Sequence, residues 1–108
     1  MILSNSTVEE FKKLINDGRF YDAHECFEVL WFPNRDKKTP FYNTLKGFIN
    51  ASVSFELHKR GRVNQSQQVW KNYLKLVQID GLDDIDLKRQ MFEIKHFLDG
   101  VQASIYNR

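Results

Sequence analysis

The chain has 108 residues, 42% of them apolar and 28% charged, and a net charge of +2. That length buries one core and is too short for two, and the composition excludes a disordered segment. So small a charge gives no footing for a nucleic-acid partner, and nothing approaches the roughly 18-residue apolar run of a membrane span or a signal peptide's basic and apolar regions.

Ser6-Thr7-Val8-Glu9 has the spacing of a capping box and predicts the start of a first helix. Phe11, Leu14 and Ile15 follow at helical spacing, and Gly18 supplies the stop. The link through Arg19 is so short that the second helix, Phe20 to Phe32, must return antiparallel to the first. Pro33 ends it, and the charged run from Asn34 to Lys38 reads as a solvated loop. Thr39-Pro40, a cap followed by proline, starts a third helix that runs to Lys59 or Arg60, with Gly61 as its stop. This helix has a bulky stripe (Phe41, Leu45, Phe48, Ser52, Phe55) and a stripe of mostly small residues (Gly47, Ala51, Ser54, His58). Two such faces predict a central helix that a neighbour approaches closely on its small side.

The fourth helix spans Arg62 to Val77, with Val63, Trp70, Tyr73, Leu74 and Val77 inward. Asp80-Gly81 marks a turn. Asp83 or Asp84 caps a fifth helix carrying Leu87, Met91, Ile94, Phe97 and Leu98, and Gly100 ends it before a short tail. The expected fold is all-α, a single domain over residues 1–108 of two antiparallel helical hairpins and a C-terminal helix around an aromatic core. A lone cysteine, Cys26, forbids an internal disulfide and points to a reducing cytoplasm.

A short internal repeat sits at the two hairpin turns. Gly18-Arg19-Phe20-Tyr21-Asp22-Ala23 aligns with Gly61-Arg62-Val63-Asn64-Gln65-Ser66. Carried forward, it pairs Phe27 with Trp70, Leu30 with Tyr73 and Trp31 with Leu74, whereas His24 falls opposite Gln67 and Glu28 opposite Lys71. Hairpin packing alone therefore does not demand an imidazole and a carboxylate on the second helix.

His24, Glu28 and Trp31 stand at i, i+4 and i+7, on one helical face. With Phe20 and Ala23 before them, and Gly47-Phe48-Ile49-Asn50-Ala51 and His58 after, these residues resemble a bacterial, archaeal and plastid domain family of unknown function marked by an HxxxExxW motif. The resemblance spans residues 17–76 and departs from the family pattern at Asn50, Arg62 and Gln65-Ser66. It implies a small all-helical fold and brings no activity with it.

His24 and Glu28 suit a divalent cation, yet two ligands make no site; the best third, His58, would have to come from the third helix. Glu25 lies about 100° around the helix from His24 and is expected to stay apart. The zinc-protease signature fails because Glu28 stands where a second histidine belongs. An imidazole oriented by a carboxylate is a competent general base, but Cys26 points about 160° away from Glu28 and no serine pairs with the histidine. A hydrogen-bonded His–Glu pair with the Trp31 indole nearby is the commoner meaning of such a pattern.

Lys59-Arg60-Gly61-Arg62, after His58, could touch phosphate, although cations at a helix C-terminus are ordinary. The expectation is a binding or interaction module whose His24/Glu28/Trp31 pocket, with His58 as a further candidate, is structural or holds a small ligand. The alternative is an enzyme or metal protein using His24 and Glu28 with His58. No cofactor is called for, and the aromatic surface offers a route to a homo-oligomer.

Overall fold

A computed structural model describes residues 3–106. The elements are α1 (Asn5–Asn16), α2 (Phe20–Trp31), α3 (Pro40–Lys59), α4 (Val63–Leu76) and α5 (Ile85–Tyr106), with short 3-10 turns at Phe32–Asn34 and Ile79–Gly81. The fold is all-α, as the sequence predicts, and the buried apolar side chains form one cluster.

The helix boundaries follow from local chemistry. Thr39 caps α3, its side chain accepting from the Tyr42 N–H, and Pro40 takes the first helical position. Asp84 caps α5 by accepting from the N–H groups of Asp86 and Leu87. Both hairpins turn in the same way. After α1, the Gly18 N–H bonds the Ile15 carbonyl and the Arg19 N–H bonds the Leu14 carbonyl; after α3, Gly61 and Arg62 bond His58 and Leu57 identically. This is a Schellman ending twice over, with φ of +75° at Gly18 and +81° at Gly61. The following arginines also match, at φ −92°, ψ 67° for Arg19 and φ −92°, ψ 66° for Arg62.

The central helix is α3. Its small face meets α4: a Cβ on Gly47 would lie 3.1 Å from Val77 Cγ2. Lower down, Ser54 Oγ donates to the Ser66 carbonyl and Ser66 Oγ donates to the Ser54 carbonyl, each at 2.8 Å. The bulky side carries Phe48 to Phe27 of α2, which in turn meets Phe11 of α1 at 4.6 Å between ring centres. On the other flank the rings run Phe20, Phe55, Trp70, Tyr73. Tyr73 is fully buried and donates to Asp99 of α5; burial foremost, then the Asp99 charge, holds its hydroxyl far above the usual tyrosine range.

Three expectations are corrected. The Ser6–Glu9 capping box does not form, because the helix already starts at Asn5 with Ser4 as its cap, the Ser4 hydroxyl pairing with that of Ser6 rather than with a backbone N–H. Leu3 explains this: it is buried, and its backbone N–H and carbonyl are both held by the Gln90 side chain, fixing where the chain enters the helix. Leu3 and Val8, both buried, occupy the staple positions either side of that start. Gly100 does not end α5, which continues to Tyr106, because Val101 and Ile105 pack on the core and Tyr106 bonds Ser66. Those contacts offset the roughly 1 kcal/mol that glycine costs inside a helix. Of the expected tail, only residues 107–108 lie outside the described residues. Finally, Val63 and Leu74 are exposed rather than inward, since α4 buries Ser66 and Tyr73 instead.

Gly18→Ala and Gly61→Ala should each destabilise the fold by about 1–2 kcal/mol, the cost of a left-handed non-glycine residue. No atom lies within 4 Å of either would-be Cβ, so the two losses should be equal within error in urea denaturation. The Asp84 carboxyl is held below its usual range, chiefly by the Leu87 N–H. Its contribution is therefore complete above the unfolded carboxylate value and disappears as pH falls through the lower folded one. Asp84→Asn should flatten that acid limb in thermal melts recorded from neutral pH downward.

Candidate functional site

The candidate site lies where the first half of α2 crosses the second half of α3. Ala23 and Phe27 are fully buried and fasten α2 to the core, which leaves His24 and Glu28 at the edge of the seam. His24 Nε2 is 3.4 Å from Glu28 Oε2, and His24 Nδ1 is 3.6 Å from Glu25 Oε1. The side chains are 19% exposed at His24 and 26% at Glu28. Both separations are ion-pair distances longer than ordinary hydrogen bonds. Nδ1 is sealed from solvent and lacks a hydrogen-bond partner.

Glu25 is a correction to the sequence reading. Its backbone position is a quarter-turn away, but its side chain is long enough to swing back to the imidazole, so His24 sits between two carboxylates. Tyr21 closes one side, its ring 5.4 Å from that of His24. Beyond them opens an apolar cavity of about 280 Å³, whose lining includes Phe20, Val53 and Leu57 with Glu56 and Arg60 on its rim. Arg60 Nε donates to Glu56 Oε2 at 2.6 Å, so an imidazole and an arginine–glutamate pair border one apolar hollow. Ser52 also lines it, but its hydroxyl donates to the Phe48 carbonyl inside α3.

The other predicted residues stand elsewhere. Trp31 lies two turns along α2 from His24, where Lys46 Nζ sits 4.1 Å above its ring. The His58 ring packs on Tyr106 at 4.7 Å, on the α5 side of α3, and does not line the His24 cavity. Among the described residues, no three His, Cys, Asp or Glu side chains converge as a metal site. Two members of the basic cluster are engaged within the chain: Lys59 Nζ donates to the Gly18 carbonyl and Arg60 holds Glu56. Cys26 faces a different cavity; burial, then the negative charge of Glu10 and Asp22, raises its thiol above the usual range, which disfavours the reactive thiolate.

Glu56 was missed as a site residue, Glu25 was set apart from His24, and Arg60 was read only as part of a basic cluster. The Glu56–Arg60 spacing of four was a visible ion-pair signal, but only tertiary structure shows that it faces His24's cavity.

With the geometry in place, the chain can be set against known proteins. Residues 8–69 match the family model described as Domain of unknown function (DUF309), which takes in most of α1, all of α2 and α3 and the first half of α4. The match begins before the resemblance read from the sequence and ends short of it. No curated protein and no solved structure matches the chain.

His24→Ala and Glu28→Gln should together cost less than about 1 kcal/mol in urea denaturation, as partly exposed pairs without hydrogen bonds do. Phe27→Ala, one turn away and fully buried, should cost about 3–5 kcal/mol.

Proposed function

The chain belongs to the DUF309 family, a domain of unknown function matched over more than half of its length, and we propose that it is a single-domain binding module whose His24 cavity takes a small ligand. One observation carries this reading. His24 sits between Glu25 and Glu28 with neither nitrogen in an ordinary hydrogen bond, at the border of an apolar hollow. An imidazole with an unsatisfied buried nitrogen costs a fold about 1–3 kcal/mol, and the carboxylates around it return little of that. Stability does not account for the residue. A ligand bearing a hydrogen-bonding group would meet the exposed edge of His24, while Phe20, Val53 and Leu57 cover its apolar body.

The catalytic or metal alternative, with His58 beside His24 and Glu28, has less support. His58 lies against Tyr106 outside the cavity, Ser52 spends its proton on the Phe48 carbonyl, and Cys26 opens on another face. A reducing compartment such as the cytoplasm fits the single free thiol. No helix among the described residues is long and apolar enough to cross a membrane.

The reading is tested by amide-detected NMR against a panel of small aromatic amines and small aromatic carboxylates. Binding should shift Tyr21, His24, Val53 and Glu56 together, and His24→Ala should abolish those shifts while leaving the spectrum otherwise folded. Shifts confined to other surfaces, or binding indifferent to His24→Ala, would refute it.

A further inference from the structure

Among the described residues, eight large apolar side chains are exposed, and three of them fall within four positions at the end of α2. They are Val29, Leu30 and Phe32, at 66%, 41% and 50% exposure. Val29 and Leu30 form one wall of a groove of about 260 Å³ beside α2. Leu3, Ser4 and Thr7 line it from the beginning of the chain, and Phe41 and Tyr42 from the start of α3.

The charges around this surface are separated along α2. Before Val29 stand Asp22 and Glu25, two turns and one turn earlier on the helix, and from α1 Glu10, one turn on from Thr7. Their field reaches the groove. Burial first, then the charges of Glu10 and Asp22, holds the thiol of Cys26, which also lines it, above the usual range. Arg19, 2.8 Å from Asp22, offsets one of the three acids.

Beyond Val29 the sign reverses. Arg35, Lys37 and Lys38 outnumber Asp36 in the loop after α2. The Arg35 guanidinium lies 4.1 Å over the Phe32 ring, and Lys37 Nζ lies 5.6 Å from the Tyr42 ring. Lys46, over Trp31, adds another cation at this end.

We infer that this face of α2 is a two-fold interface for a second copy of the same chain, the two helices lying antiparallel with Val29 near the axis. A two-fold axis across α2 turns the partner end for end, so the acidic side of each copy meets the basic loop of the other. One charge pattern thereby complements itself, and does so twice. A wholly acidic or wholly basic segment of another protein would be held at one end of the groove and repelled at the other. The interface stands apart from the His24 cavity, which neither Val29, Leu30 and Phe32 nor the loop residues line.

Sedimentation equilibrium of the intact chain, from micromolar to millimolar and at two salt concentrations, tests the inference. The expected result is a monomer–dimer equilibrium weakened by salt, as screened charges require. Val29→Glu should weaken it by at least about 30-fold, the loss expected at the centre of an interface. Two charge-swapped proteins, Lys37→Glu with Lys38→Glu and Glu10→Lys with Asp22→Lys, should each be monomeric. Mixed in equal amounts they should form a heterodimer, because one is then acidic at both ends and the other basic at both. All these side chains are exposed, and circular-dichroism melts matching the parent's show that each variant folds.

Cross-linking locates the axis. In a Cys26→Ser background, Val29→Cys should form a disulfide-linked dimer under mild oxidation, since Cα atoms beside the axis come within the roughly 7 Å that a disulfide spans. Ile85→Cys, at a position 73% exposed, should not. A parent that stays monomeric, swapped proteins that fail to associate when mixed, or cross-linking no faster for Val29→Cys than for Ile85→Cys would overturn the inference. So would a monomer whose groove binds only acidic or only basic peptides.

Discussion

The close approach of α3 and α4 is the constraint on which the other placements depend. Gly47 leaves room for Val77, and further along Ser54 and Ser66 exchange hydrogen bonds between side chain and backbone in both directions. No larger pair of side chains fits there. Because these hydroxyls are fully buried and satisfied, they set the depth and register of the contact rather than merely tolerating it. With α4 held on the small face, the bulky side of α3 is left for α2, and the Ser52–Glu56 turn comes to lie under His24. Tyr106 reaches the same serine pair from α5, which is why the last helix runs on past a glycine.

The duplicated turns show how much local chemistry decides and where it stops. Gly18-Arg19 and Gly61-Arg62 make the same Schellman ending and the same entry into the next helix, and the residues four positions on from the arginines, Ala23 and Ser66, are both fully buried. From there the hairpins diverge. Leu30 is exposed while its counterpart Tyr73 is buried, and His24 is half-buried where Gln67 is in solvent. One turn geometry therefore supports two rotations of the returning helix. Lys59 joins the two turns, its ammonium donating to the Gly18 carbonyl from two residues before Gly61.

What could be read in the sequence was what neighbours in the chain decide: the Thr39-Pro40 start, the stops at Gly18 and Gly61, and the two faces of α3. Expectations failed where a distant group outbid a local signal. Ser6 lost its capping role because Gln90 anchors Leu3, eighty-seven residues away in sequence, and Gly100 was carried through by a bond to Ser66. The candidate site divides in the same way. His24 and Glu28 were legible, being one turn apart on one helix, whereas their companions Glu56 and Arg60 form a pair on α3 that only the crossing of the two helices brings near.

His24 and Phe32 are eight residues apart on α2 and its 3-10 extension, about 12 Å along the axis. Trp31 stands between them, gripped from α3 by Lys46. That contact gives the indole a physical role independent of any ligand: it secures the far half of α2, beyond Phe27, where Val29 and Leu30 point to solvent. Held at both ends, the helix can present the His24 hollow near its start and an apolar face near its finish without either surface borrowing residues from the other.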